Sequence, residues 1–103
     1  MTREEALKAA SLGALEMARH SLFGEFCRRE PLGRRLVHAI EHSGPEAQAD
    51  VVREILAATA TGRAPGGEWF HNNPAGQQIT AALQVLEGIT SRRELYRRLA
   101  EEG

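Results

Sequence analysis

His38-Ala39-Ile40-Glu41-His42 places two imidazoles four residues apart with a carboxylate between them. On a helix, residues i and i+4 share a face, so the two rings could grip one zinc ion. The spacing is also the H-x-x-E-H pattern of one metallopeptidase class. That chemistry needs a third, carboxylate ligand from a scaffold much larger than 103 residues. A helical wheel moreover sets both histidines beside Arg34 and Arg35 on a polar face, opposite Leu36 and Ile40. The expectation is a solvated helix face, with no metal bound.

Cys27 lies between Phe26 and Arg28-Arg29. Neighbouring guanidinium groups can lower a thiol pKa and create a nucleophile, but burial as a small apolar side chain is commoner and is expected here. As the single cysteine it excludes an intrachain disulfide and points to a reducing compartment. Other catalytic sets are missing. Asp50 is the only aspartate, and no G-x-S-x-G occurs. Gly66-Gly67 lacks the lysine, the hydroxyl residue and the preceding strand of a phosphate-binding loop. The carboxylate pairs Glu4-Glu5 and Glu101-Glu102 sit at frayed, exposed ends. No catalytic residue is nominated, an enzymatic role is disfavoured, and no cofactor is expected.

Arginine outnumbers lysine 12 to one. A GC-rich genome accounts for that bias; selection for bidentate contacts with anions or carboxylates is the alternative. Eight of the arginines form doublets: Arg28-Arg29, Arg34-Arg35, Arg92-Arg93 and Arg97-Arg98. Residues 28–35 and 92–98 each sum to +3. The last two predicted helices, with a turn at Gly88-Ile89-Thr90 between them, look like a helix-turn-helix whose second member is basic. Two features oppose that reading. Gln84 stands where such a motif usually carries a small residue, and Glu94 can pair with Arg98 at i,i+4.

The segment Glu68-Trp69-Phe70-His71-Asn72-Asn73 falls in a Gly/Pro-rich stretch spanning about 62–73 and carries the only tryptophan. Loops of about 12 residues are uncommon in compact domains unless they are functional or tied down. Trp69 and Phe70 either fold back as a plug on the core or, with His71 and Asn72, form a partner-binding site.

The elements that must position these residues are helical. Ala, Leu, Glu and Arg supply 52 of 103 residues, whereas Val, Ile and Thr supply only 13 and never alternate in strand fashion. Thr2-x-x-Glu5 reads as a capping box opening a helix at about residue 3, which continues to Arg29 or breaks near Gly24. Its apolar side carries Ala6, Ala10, Ala14 and Met17, widened by Leu12, Leu15, Leu22 and Phe26. A second helix spans about 31–43. A second capping box, Ser43-x-x-Glu46, opens a third over about 45–61, with Val51, Val52, Ile55 and Leu56 inward. Asn73 caps a fourth over about 74–87, with Pro74 in its first turn, and Ser91-x-x-Glu94 opens a fifth to about 101. The fourth has Glu87 as its only charge, so it is either central or part of a subunit interface.

Together these readings predict a single domain over 1–103: an all-α, compact bundle of four to five helices with one long Gly/Pro-rich loop. Surface scaling for its 11.3 kDa gives roughly 5,700 Å² of accessible area when folded. The charged N-terminus and the lack of long apolar runs predict a cytoplasmic protein that does not enter membranes. The favoured function is a non-catalytic protein-interaction or regulatory module whose partner is another protein or a second copy of itself. The alternative is a nucleic-acid-binding regulator using Arg92, Arg93, Arg97 and Arg98, joined by Arg28, Arg29, Arg34 and Arg35.

Overall fold

The computed structural model describes residues 1–102 and is all-helical. Seven α-helices replace the expected four or five: α1 (Arg3–Arg19), α2 (Gly24–Arg29), α3 (Pro31–His42), α4 (Pro45–Ala60), α5 (Gly67–Asn72), α6 (Pro74–Glu87) and α7 (Arg92–Glu102). A 3-10 turn, Ser21–Phe23, joins α1 to α2. The accessible surface, 5812 Å², matches the area expected from mass alone. No helix among the described residues is long and apolar enough to cross a membrane.

The first predicted helix divides at His20, not at Gly24. His20 is extended (φ −75°, ψ 134°), and its Nδ1 accepts a hydrogen bond from the Leu22 amide. The imidazole thereby caps the 3-10 turn that swings Phe23 into the core. Phe23 then meets Trp69 edge-on, with ring centroids 5.2 Å apart. Gly66 makes this approach feasible twice over. Its φ of +101° suits only glycine, and a β-carbon there would lie 2.5 Å from Phe23 Cζ.

The stretch expected to be loop contains α5. Trp69 and Phe70 are buried, with their rings perpendicular and 5.1 Å apart. Phe23, Trp69 and Phe70 therefore form one aromatic wedge in the main core, and each edge-to-face pair adds about 0.5–1.5 kcal/mol beyond area burial. The wedge explains why a segment of weak helix propensity folds into a helical turn.

Alanine carries the contact between α1 and α6. Ala6, Ala9 and Ala10 pack with Ala49 of α4 and Ala82 of α6 in a cluster of small side chains. Small residues let helix axes approach closely, so a chain poor in large aliphatics still excludes water. α6 packs against α1, α5 and α7, which accounts for its lack of charge without a second subunit. α4 lies between α3 and α7 and supplies Val52, Ile55 and Leu56 to the centre.

Termini follow the sequence with one exception. Thr2 and Glu5 form both arms of the capping box. Asn73 Oδ1 accepts from the Ala75 amide at 2.9 Å, and Gly88 (φ +70°) closes α6 in the left-handed conformation. Ser43 does not cap α4. Gly44 occupies that position without a side-chain bond, and the Glu46 carboxylate reaches back to Arg3 of α1 at 2.8 Å instead. Two expected inward residues also face out: Leu12 is 51% exposed and Leu22 45%.

Candidate functional site

The aromatic segment keeps little of its surface. Because Trp69 and Phe70 are in the wedge, α5 presents Gly67, Glu68, His71 and Asn72 to solvent but neither of its large aromatic rings. His71 stacks flat on Tyr96 of α7, with centroids 5.2 Å apart and planes 16° from parallel, and its carbonyl accepts from the Gln77 side chain at 2.7 Å. Burial pushes the Tyr96 hydroxyl pKa up, and nearby Arg92 offsets part of that rise. Thus the fold joins two sequence candidates, His71 and Arg92, through a residue that sequence reasoning passed over. The buried Trp69 Nε1 and Tyr96 hydroxyl have no partner among the described residues.

The arginine doublets are largely matched by glutamates. Arg28 and Arg29 both pair with Glu25, and Arg35 pairs with Glu54 of α4 at 2.6 Å. On α7, Arg97 is held between Glu94 and Glu101. That clamp lowers the Glu94 pKa, mainly through the hydrogen bond from Arg97, and raises that of Arg97. Arg98 donates to the Glu87 carbonyl at 3.3 Å, closing the end of α6. Arg34 on α3 and Arg92 and Arg93 on α7 hold no carboxylate among the described residues, and α4 lies between those two helices. The turn after α6 is built for packing: the Ile89 amide returns to the Gln84 carbonyl at 2.8 Å, and the Ile89 side chain is buried.

Arg53, a charged residue with no role assigned from sequence, links three helices. Its guanidinium bonds Glu87 of α6 at 2.7 Å and Glu102 of α7 at 2.5 Å from a half-buried position on α4. Gln48 was likewise missed because glutamine reads as surface. It is buried, accepts from the Ser11 hydroxyl, and donates to the carbonyls of Ala39 and Ser43. Those bonds reach the carbonyls at the C-terminal end of α3, where the Ser43 amide already serves Ala39, and tie α1, α3 and α4 together.

Cys27 is buried, and desolvation pushes its thiol pKa up. This is opposite to what a nucleophile at neutral pH needs. His38 and His42 are exposed, with ring centroids 4.8 Å apart. No cluster of three or more His, Cys, Asp or Glu side chains among the described residues is placed to hold a metal ion.

An apolar concavity with a polar rim lies between α1 and the start of α4. Leu7, Leu12 and Pro45 line it, and Glu4, Glu5, Lys8 and Glu46 surround it. Leu12 faces this groove because α1 turns its alanine stripe inward, leaving the larger leucine on the opposite flank. Only the unequal size of the two apolar sets on α1 hinted at this. Comparison with family models, with curated proteins and with solved structures finds no match to this chain.

Proposed function

We propose that the protein is a non-catalytic helical interaction module that docks a partner protein in the groove between α1 and the start of α4. One observation carries this reading: Leu12, in the middle of α1, stands 51% exposed beside Leu7 and Pro45. Fully burying a leucine is worth about 1.5–3 kcal/mol, so a partner that covers Leu12 gains a share of it. With Glu46 paired to Arg3, Glu4 and Glu5 against Lys8 still leave the rim net acidic. An amphipathic helix with leucine-like anchors and a basic flank has the complementary chemistry.

Affinity capture with the full chain as bait, read by mass spectrometry, tests the reading. A partner retained by the wild type and lost with Leu12→Arg is expected. Equal retention by both, or none by either, overturns it. The nucleic-acid reading draws on Arg34, Arg92 and Arg93, which hold no carboxylate among the described residues. A mobility-shift assay at about 50 mM salt, where phosphate contacts are strongest, decides it. An unshifted probe ends that reading.

A further inference from the structure

We propose that His38 and His42 are half of a divalent transition-metal site, completed by the same two residues of a second copy of this chain. The geometry comes first. A tetrahedral zinc ion holds imidazole nitrogens at about 2.0–2.1 Å, which sets two ligand ring centroids about 5.2 Å apart. The two rings stand 4.8 Å apart and 46° from coplanar, so a small side-chain rotation brings them to that separation. They project from the exposed face of α3. His20, by contrast, is spent as a helix cap, and His71 lies flat on Tyr96.

The ligand count comes second. Zinc takes four ligands in a closed site, and this chain gathers no third His, Cys, Asp or Glu around the pair among the described residues. A two-fold axis through the ion supplies the other two imidazoles. Charge then favours one arrangement. In its first half α3 carries Arg34, which holds no carboxylate among the described residues, and Arg35, already paired with Glu54; Glu41 lies near its end. Antiparallel pairing about a point midway between His38 and His42 sets the cationic end of one helix against the acidic end of the other. The flanking groove, with His38 and Arg34 on its edge and Ala39, Ala47 and Val51 within, adds apolar surface for the second copy to cover. This face is distinct from the groove around Leu12, so either proposal can fail alone.

Light scattering on the full chain without an affinity tag tests the proposal, with zinc chloride at half a molar equivalent or with a chelator. The expected result is a dimer with one zinc per two chains and a monomer in chelator. His38→Ala and His42→Ala each stay monomeric with unchanged helicity, while His71→Ala and Leu12→Arg dimerise like the wild type. Cobalt(II) in place of zinc gives the strong visible absorption of tetrahedral coordination. A monomer under both conditions, a dimer that survives chelation, or zinc bound one per chain without a change in mass overturns the proposal.

Discussion

Replacing Gly33 with alanine should destabilise the protein by about 1–2 kcal/mol, although the same exchange in an ordinary helix interior stabilises by about 0.5–1 kcal/mol. Gly33 is buried where α3 crosses α2. A β-carbon there would lie 2.6 Å from the Phe26 carbonyl carbon and 2.7 Å from Cys27 Cα, and nearer still to the Phe26 carbonyl oxygen. Carbon atoms rest about 3.5–4.0 Å apart, so α2 and α3 must separate by about 1 Å. The obstruction is backbone, which cannot rotate away as a side-chain tip can. Overpacking of this kind costs about 1–3 kcal/mol, and the propensity gain offsets only part of it. Near the transition that corresponds to a melting point lowered by roughly 5–15 °C. Gly24 is the control. It begins α2 with right-handed helical angles (φ −55°, ψ −51°), and a β-carbon there meets nothing within 4 Å. Gly24→Ala should therefore raise stability by about 0.5–1 kcal/mol. Urea denaturation followed by far-ultraviolet circular dichroism reads both. If Gly33→Ala is as stable as the wild type, the close packing of α2 on α3 is wrong.

Three further outcomes follow from the same structure. Cys27 should react with a disulfide reagent far more slowly than free glutathione, and reach its rate only in denaturant, because burial raises its thiol pKa and shields it. Gln48→Ala should cost about 1–3 kcal/mol in chemical denaturation, since it leaves the Ser43 carbonyl without its donor, while the Ala39 carbonyl keeps the Ser43 amide. The Glu5 carboxyl, held below its ordinary 4.5 by the Thr2 amide and then the Thr2 hydroxyl, stabilises α1 in its charged form. Its folded pKa lies below the unfolded one, so its contribution is present above about pH 4.5 and is lost as pH falls through the folded value. Thr2→Ala should be less stable than the wild type at neutral pH, and the gap should narrow in acid titration.

The local signals that sequence carries are those satisfied within one turn of chain. Thr2, Asn73 and Gly88 could be read directly because each cap acts on backbone two to four residues away. The same logic failed at Ser43-x-x-Glu46, where Gly44 takes the cap position and the Glu46 carboxylate finds a distant partner. The Ser43 carbonyl takes the Gln48 amide, and the Glu46 carboxylate takes Arg3 of α1. It failed again at His20, whose residues on either side suit a helix. There the deciding term is the aromatic wedge, and its members, Phe23 and Trp69, are too far apart in sequence for a periodicity to report.

Site residues divide along the same line. The wheel placed His38 and His42 on a solvent face, and they are there, because an i,i+4 relation belongs to one helix. The doublets were legible as charge but not as free charge. Whether Arg97 can meet a phosphate depends on Glu94 and Glu101, which lie on its own helix and could be anticipated. Whether Arg35 can do so depends on Glu54 across the α3–α4 contact, which could not. Leu12 is the instructive case. Hydrophobicity alone put it inward, but α1 meets α6 through alanine and glycine, and a β-carbon added at Gly13 would lie 2.8 Å from Ile79 Cδ1. An interface that tight has no room for leucine, so the larger residue is turned out by packing rather than by polarity. That is why a surface proposed for docking sits on the flank opposite the alanine stripe, and why Leu12→Arg should leave the fold intact while removing the contact.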